Sequence, residues 1–357
     1  MRRIEFHGTA AQGEALFREF PVMQLAGCTE DGLPVLKTLN GVVEGDEVCF
    51  HASPAGEKTS LLGRPVVVQV EETVARLPSH FLDAERACPA TTLYRSAQVH
   101  GVLQPITEPA RKARVLQALM EKLQPEGGYV PLDAESPLYR AQVKGLLVAG
   151  VSLSGVTTKL KLMQNKKPAE RAQVLEKLWQ RGEPGDARAI ELIRAANPDT
   201  PDPAFLAAPA GLRLHAWLPE HRAPEAAAML KPLYWNDVFT LDELERAHRG
   251  SGAWVGLTDA GTGQLIGTAR AISDEGKCAW VYDVCVHPER RRQRLGHLLM
   301  QLLLDHPRVR RCRVVRLGTK DAQSLYADFG FVPVSSLPPR AFPTTEMALR
   351  RPTTPAP

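Results

Sequence analysis

Two hydrophobic rhythms divide this chain. Through the first half, short apolar runs are interrupted by Gly, Pro or Asp: residues 22–29, 35–43, 48–53, 65–72 and 91–106. Runs of this length bounded by turn residues read as β-strands. The second and third flank Gly45-Asp46, a hairpin signal. Residues 108–124 change period and carry Pro109 near the first turn, which predicts an amphipathic helix. Two more strands are expected within 145–162. Many short strands with interspersed helices predict a small antiparallel barrel.

After residue 212 the expected order is helix, three strands, helix, strand, helix, strand. Residues 251–259 and 265–273 flank "DAGTG" and read as a hairpin, and 278–287 reads as a long buried strand. A helix over 294–306, a strand over 312–319 and a short helix over 322–330 follow. Between the two rhythms, residues 195–212 hold four prolines and two acids. Proline disfavours both helix and ladder, so a linker is expected at 197–210. It separates a domain over 1–196 from one over 211–350, with 351–357 as a frayed tail.

Composition narrows the class. The chain has 357 residues, 44% hydrophobic and 24% charged, ordinary for a folded protein of two domains. A net charge of +4 argues against a dedicated nucleic-acid binder. No apolar run is long enough to span a membrane, and the N-terminal stretch lacks an apolar signal core. Six cysteines without a CxxC pair or zinc spacing read as reduced thiols, most of them buried, and no metal site is expected. A cytoplasmic location is the expectation.

The sequence "HPERRRQRLGHLLM" (287–300) is the first chemical signal. A strand enters a loop, and the loop opens an apolar helix. Free backbone N–H groups at a helix N-terminus favour an anion such as a pyrophosphate. The arginines precede the helix rather than lining one face of it, which counts against a groove-reading helix. "VCVHPERRRQRLGHLLM" resembles motif A of the GNAT superfamily of N-acetyltransferases, and "TKDAQSLYADFGFVPV" resembles its second signature. Arg294 stands where the motif usually has its first glycine. The resemblance implies an acetyl-CoA cosubstrate and a small-molecule amine acceptor. It places the pyrophosphate on backbone groups of Gln293, Arg294, Leu295, Gly296 and His297, with Arg291 beside them. Val284 and Val286 would meet the thioester and pantetheine arm. Tyr326 would protonate the thiolate, and Asp283 is the candidate base or amine anchor. Without the motif, Tyr326 reads as a half-buried aromatic and Asp283 as a partner for a backbone group. "YWNDVF" (234–239) lines an acceptor pocket or belongs to the core, and "RVRRCRVVR" (308–316) reads as a solvated face, with contacts to the adenosine 3′-phosphate as the lesser reading.

The first half has a second resemblance. Pro34, Gly45-Asp46, Phe50-His51-Ala52 and Gly56-Glu57-Lys58, with "CPATTLYRSAQVHG" (88–101), are similar to the pyridoxamine 5'-phosphate oxidase-like split barrels, the branch that includes the nitroimidazole-resistance proteins. That implies an FMN site, or one for another flavin, a deazaflavin or haem, and a homodimer through the barrel. Thr38, Asn40, His51, Ala52, Lys58, Thr59 and Ser60 are the candidate contacts, with His51 also a candidate redox partner. Lys58–Ser60 read either as a phosphate site or as a plain helix start capped by Thr or Ser. Tyr94 and Arg95 are further barrel contacts.

The expected fold class is therefore α+β, an antiparallel split β-barrel with helices followed by a mixed α/β sheet. The expected function is a bifunctional N-acetyltransferase fused to a flavin-binding barrel with oxidoreductase or nitroreductase-like activity. The alternative is a ligand-sensing or regulatory protein without turnover.

Overall fold

The computed structural model describes residues 3–338 together with 347 and 349. The expected tail at 351–357 and the end of the second expected domain lie outside the described residues. The chain falls into two compact units, Met1–Pro219 and Glu220–Pro357.

The first unit contains, in order, β1 (His7–Gly8), α1 (Ala10–Glu19), β2 (Val22–Cys28), β3 (Pro34–Glu44), β4 (Glu47–Ala52), β5 (Pro65–Leu77), β6 (Thr91–Val102), β7 (Gln104–Pro105), α2 (Pro109–Leu123), α3 (Arg140–Gly145), β8 (Leu147–Ser152), β9 (Thr157–Lys161), α4 (Pro168–Arg181), α5 (Asp186–Ala196) and β10 (Leu212–His215). The first nine strands form one sheet in the order β1-β9-β6-β5-β2-β3-β4-β8-β7. All of its pairs are antiparallel. The sheet is rolled. β6 and β8 are not ladder partners, yet a β-carbon on Gly101 would lie 2.7 Å from Val151 Cγ1. One core fills the roll, with Leu25, Phe50, Val68, Val99 and Val151 fully or nearly fully buried. Alternation along each strand supplies that inner face. The β3–β4 hairpin turns on Gly45, whose φ of +62° suits a residue without a β-carbon.

The expected single strand over 91–106 breaks at Leu103. Its N–H donates to Arg64 O (3.0 Å), its carbonyl accepts from Gly63 N–H (2.8 Å), and its side chain is buried. Local periodicity does not register that long-range anchor. The Pro-rich stretch packs onto α4 and α5. Asn197 Nδ2 donates to Leu162 O (2.9 Å), Arg171 Nε donates to Thr200 Oγ1 (2.8 Å), and Phe205 stacks on Trp179 at 4.5 Å.

The second unit contains α6 (Ala223–Leu230), α7 (Leu241–Arg249), β11 (Ala253–Asp259), β12 (Leu265–Ser273), β13 (Cys278–Val286), α8 (Leu295–Asp305), α9 (Pro307–Arg310), β14 (Val314–Arg316) and α10 (Gln323–Ala327). Strands β11 to β14 lie in chain order. The first two pairs are antiparallel and the last is parallel, so this sheet is mixed. α7 begins with a reciprocal Thr240/Glu243 capping box. Ala227, Leu230 and Leu244 from α6 and α7 pack around Cys285, and Leu299 of α8 lies over Gly267 of β12. β13 is less buried than its composition implies: Tyr282 is 40% exposed. No strand forms over 331–338. Only Cys49 and Cys285 of the six cysteines are buried, and Cys28 and Cys88 are exposed.

His306 fixes the entry to α9. It is buried, and its Nδ1 accepts the Arg308 N–H at 3.2 Å. Burial first, then Arg308 and Arg310, holds its pKa down to about 3. An unfolded histidine titrates near ~6.5. The folded pKa is depressed, so this contribution is complete above pH ~6.5 and is lost as pH falls toward 3. Its slope is about 1.4 kcal/mol per pH unit. Urea melts at stepped pH are expected to show a flatter acid dependence in His306→Asn than in the native chain.

Candidate functional site

The site grows from a mismatch between β13 and β14. β13 runs nine residues, but its register with β14 covers only Cys278, Ala279 and Trp280. From Val281 to Val286 that edge has no strand partner among the described residues. On the other edge, His287 N–H donates to Ile266 O at 2.8 Å. Alternation along the strand then turns the backbone groups of Val286 and Val284 toward the open edge. Val286 O already meets Arg291 Nε there at 3.2 Å.

A bulge opens the same strand. The β12–β13 register shifts between Thr268 and Arg270, and Asp283 takes a φ of +52°. A carboxylate in that strained conformation needs a reason to stay. Its Oδ2 accepts from Arg270 Nε at 2.6 Å, and its Oδ1 accepts longer bonds from Asn236 Nδ2 (3.3 Å) and Trp235 Nε1 (3.4 Å). The pair is well shielded, with side-chain exposures of 10% for Arg270 and 5% for Asp283. Asp283 thus ties the loop between α6 and α7 to the sheet.

Beyond β13 the chain makes a single 3-10 turn, Pro288–Arg290, and reaches α8 through Arg291–Arg294, all exposed. Arg292 and Arg294 have φ of +63° and +58°. Arg294 is the N-cap of α8 in the left-handed region and its side chain makes no cap bond. That conformation is the reason a glycine suits the position. Arg294 bears the strain and keeps its guanidinium outside. A β-carbon on Gly296 would meet nothing closer than Leu325 Cδ2 at 3.8 Å. The fold itself does not demand a glycine at this point of the helix, and the open space lies beside the free N–H groups. His297 packs against Phe329 with centroids 4.3 Å apart and planes tilted by 38°, and stands 3.9 Å from Asp328.

Tyr326 lies on α10, half-buried. Its phenol is held above the ordinary tyrosine range by burial, then by Tyr234 and Asp321. It keeps its proton at neutral pH, as a proton donor must. Tyr234 donates to Asp321 Oδ1 at 3.4 Å. The expected acceptor segment is not core: Tyr234, Trp235 and Phe239 are 47%, 40% and 44% exposed. Asn236 is the buried member and Trp235 meets Tyr234 edge-on at 4.9 Å. Cys285 offers no nucleophile, since burial pushes its thiol up to about 11. A cleft of about 910 Å³ opens between α6, the β11–β12 turn and the end of β13, lined by His221, Glu225, Met229, His287 and Arg291 among others. It shares Arg291 with the loop but contains neither Asp283 nor Tyr326.

In the first unit, Thr38 and Asn40 are exposed on β3, and His51 is exposed on β4 one step beyond the Gly41–Phe50 pair. Extending the register sets His51 opposite Asn40. Partial desolvation, then Lys58, lowers the His51 pKa. Ala52 is buried. Lys58, Thr59 and Ser60 lie inside a 3-10 turn, Glu57–Leu61, and do not cap a helix start. Its N-cap is Gly56, and the two hydroxyls donate back to Gly56 O and Glu57 O at 2.7 Å. Lys37 of β3 pairs with Glu57, which fixes this turn to the strand bearing Thr38. Arg95 is held by Glu72 (2.6 Å) and Glu19 (3.2 Å), so its charge is already matched.

Two family models match consecutive stretches: pyridoxamine 5'-phosphate oxidase over residues 9–160, and the acetyltransferase (GNAT) family over residues 214–331. The chain joins a pyridoxamine 5'-phosphate oxidase-like domain to a GNAT domain. No curated protein matches it. Among solved structures it is similar to the flavocytochrome Anf3 from Azotobacter vinelandii: 20% identity, 45% of this chain and 71% of that one, TM-score 0.38. A second is described as a 5-nitroimidazole antibiotic resistance protein from Bacteroides thetaiotaomicron: 17% identity, 42% and 82%, TM-score 0.34. A third is described as a GNAT-family acetyltransferase from Xanthomonas campestris: 28% identity, 38% and 96%, TM-score 0.32.

The GNAT domain brings together Asp283, Val284, Val286 and the 291–297 loop. Asn236, from the 234–239 segment singled out above, and Arg270 together hold Asp283. Sequence reasoning missed Arg270, which belongs to no motif; a lone Arg in the apolar run of β12 was the one available signal. Among the described residues no three His, Cys, Asp or Glu side chains are grouped to hold a metal ion, and no helix is long and apolar enough to cross a membrane.

Proposed function

We propose that the GNAT domain transfers the acetyl group of acetyl-CoA to a small-molecule amine. The edge of β13 from Val281 to Val286, unpaired among the described residues, carries this reading. It offers Val284 and Val286 backbone groups to an extended ligand arm, and it leads into a loop whose N–H groups and arginines suit a pyrophosphate. Tyr326 would give its proton to the departing thiolate, while Asp283 anchors the acceptor loop. Cys285, buried on the strand, keeps its proton, which fits direct transfer without an acyl-enzyme at that thiol. Radiolabelled acetyl-CoA with an amine panel tests the reading: labelled amide is expected, and CoA binding without product from any amine overturns it.

In this account Arg294 is a phosphate contact held in a strained conformation. Arg294→Gly relieves a left-handed non-glycine residue and is expected to raise stability by about 1 kcal/mol. It removes one exposed charge contact, so acetyl-CoA affinity should fall roughly threefold to tenfold. Calorimetry and thermal melts read the two effects separately, and tighter binding would mark Arg294 as an obstacle.

The oxidase-like domain is proposed to bind a flavin, FMN in the first instance, beside Thr38, Asn40, His51 and Lys58. Their donor types fit: a hydroxyl, an amide, an imidazole and a cation beside one exposed strand pair, with the Thr59 and Ser60 hydroxyl oxygens nearby. A bound flavin would supply redox chemistry to a small molecule. Val22 and Leu36, 49% and 67% exposed on β2 and β3, support a homodimer through this domain in a cytoplasmic protein. An absorbance spectrum with mass spectrometry of co-purified small molecules tests the cofactor. A colourless protein that takes up no added FMN refutes it.

A further inference from the structure

The acceptor side of the GNAT domain is an aromatic platform ringed by cations. Tyr282 of β13 is 40% exposed and runs nearly parallel to Trp280, with centroids 6.2 Å apart and planes 20° apart. Across the Arg270–Asp283 pair stand Trp235 and Tyr234, 40% and 47% exposed. These two pairs share one landmark. Trp235 donates to Asp283 Oδ1, and Arg270, which holds Asp283 Oδ2, lies over the Tyr282 ring at 5.0 Å. Tyr234 acts electrostatically on Tyr326, the proposed proton donor, so the platform borders the reacting end of the site.

Two features of its chemistry bear on the acceptor. Three of the four rings already carry a protein cation: Lys320 over Tyr234 at 4.9 Å, Arg270 over Tyr282, and Arg316 over Trp280 at 5.9 Å. Ring faces already occupied in this way do not favour a further ammonium, whose charge would meet Lys320 and Arg316, while the Asp283 carboxylate is taken up by Arg270. They stack well on a flat, uncharged or anion-bearing ring. The site also lacks a free base: Asp321, which acts electrostatically on Tyr326, already accepts from Tyr234 at 3.4 Å. Asp283 is nearly buried and held by three donors, so accepting a proton would cost it the Arg270 pair. An aliphatic amine arrives protonated at neutral pH and needs a base before it can attack. An aniline-type nitrogen arrives with its lone pair free.

We infer that the acceptor of this domain is an aromatic amine, stacked on the Trp235–Tyr282 platform with its amino group toward Tyr326. This rests on the acetyltransfer reading above and specifies its substrate class. The nitrogen lone pair attacks the thioester carbonyl carbon, and a C–N bond forms. The C–S bond then breaks, and the thiolate takes the proton of Tyr326. The proton lost from nitrogen returns to the phenolate through water, so aryl amine and acetyl-CoA give aryl acetamide and CoA with no other reactant.

The test is kcat/KM for labelled acetyl transfer by the full chain to aniline, para-aminobenzoate and spermidine. The aromatic amines are expected to exceed spermidine at least about tenfold. Trp235→Ala should cut aryl turnover about tenfold or more while leaving acetyl-CoA affinity by calorimetry unchanged, and Trp235→Phe should restore most of it. Acetylation of spermidine in preference to both aromatic amines, or aryl turnover indifferent to Trp235→Ala, overturns the substrate assignment while the acetyltransfer reading stands. No product from any of the three, with acetyl-CoA bound, overturns both.

Discussion

Asp283→Asn is expected to destabilise the GNAT domain by about 3 kcal/mol, since it leaves the Arg270 guanidinium enclosed without its counter-charge. Arg270 keeps secondary contacts, to Ser251 Oγ at 3.2 Å, Ala247 O at 3.5 Å and the Tyr282 ring at 5.0 Å, none of which carries a counter-charge. The bulge at Asp283 and the loop carrying Trp235 and Asn236 lose their common anchor together. Activity should fall with the folded population and with the order of that loop, appearing mainly as a raised acceptor KM. The competing role, a general base, gives another signature. The melting curve would stay in place while kcat collapsed, and the acid limb of the kcat–pH profile would disappear with it. Thermal melts and the kcat-against-KM split therefore distinguish anchor from base in one variant.

Tyr326→Phe is expected to lower kcat by about a hundredfold or more, the range for removing a positioned proton donor. The ring remains, its edge contact with Phe331 at 6.1 Å remains, and among the described residues the hydroxyl has no hydrogen-bond partner to lose. Stability and acetyl-CoA affinity should be unchanged. The basic limb of the kcat profile should vanish as well, because the Tyr326 proton is held above the ordinary phenol range by burial. Unaltered kcat at neutral pH would place the thiolate's proton elsewhere.

Much of this was legible in the sequence because it was local. A strand, four arginines, a glycine and an apolar helix lie within "VCVHPERRRQRLGHLLM", and the structure keeps them in that order, with Arg294 in the left-handed region where a glycine suits best. The hairpin at Gly45-Asp46 was readable for the same reason. What escaped depends on distance. The Asp283–Arg270 pair spans two strands, and its link to Trp235 and Asn236 joins residues nearly fifty positions apart. The stop at Leu103 is set by Gly63 and Arg64, a loop 40 residues earlier. The Pro-rich stretch is packed by buried Asn197 and Leu206, contacts that composition does not encode. Lys58–Ser60 carry helix-start residues, yet their hydroxyls bond backward and the turn ends within five residues.

Calorimetric titration of Gly296→Asp with acetyl-CoA tests most directly whether the 291–297 loop is the coenzyme cradle. A β-carbon at Gly296 has room in the fold, so the variant should melt with the native chain, and its added carboxylate stands where the pyrophosphate is assigned. The native chain is expected to bind one acetyl-CoA per GNAT domain, and Gly296→Asp to bind it at least about a hundredfold more weakly, a loss near 2.7 kcal/mol. Equal affinity in the two proteins, both folded, would contradict the account.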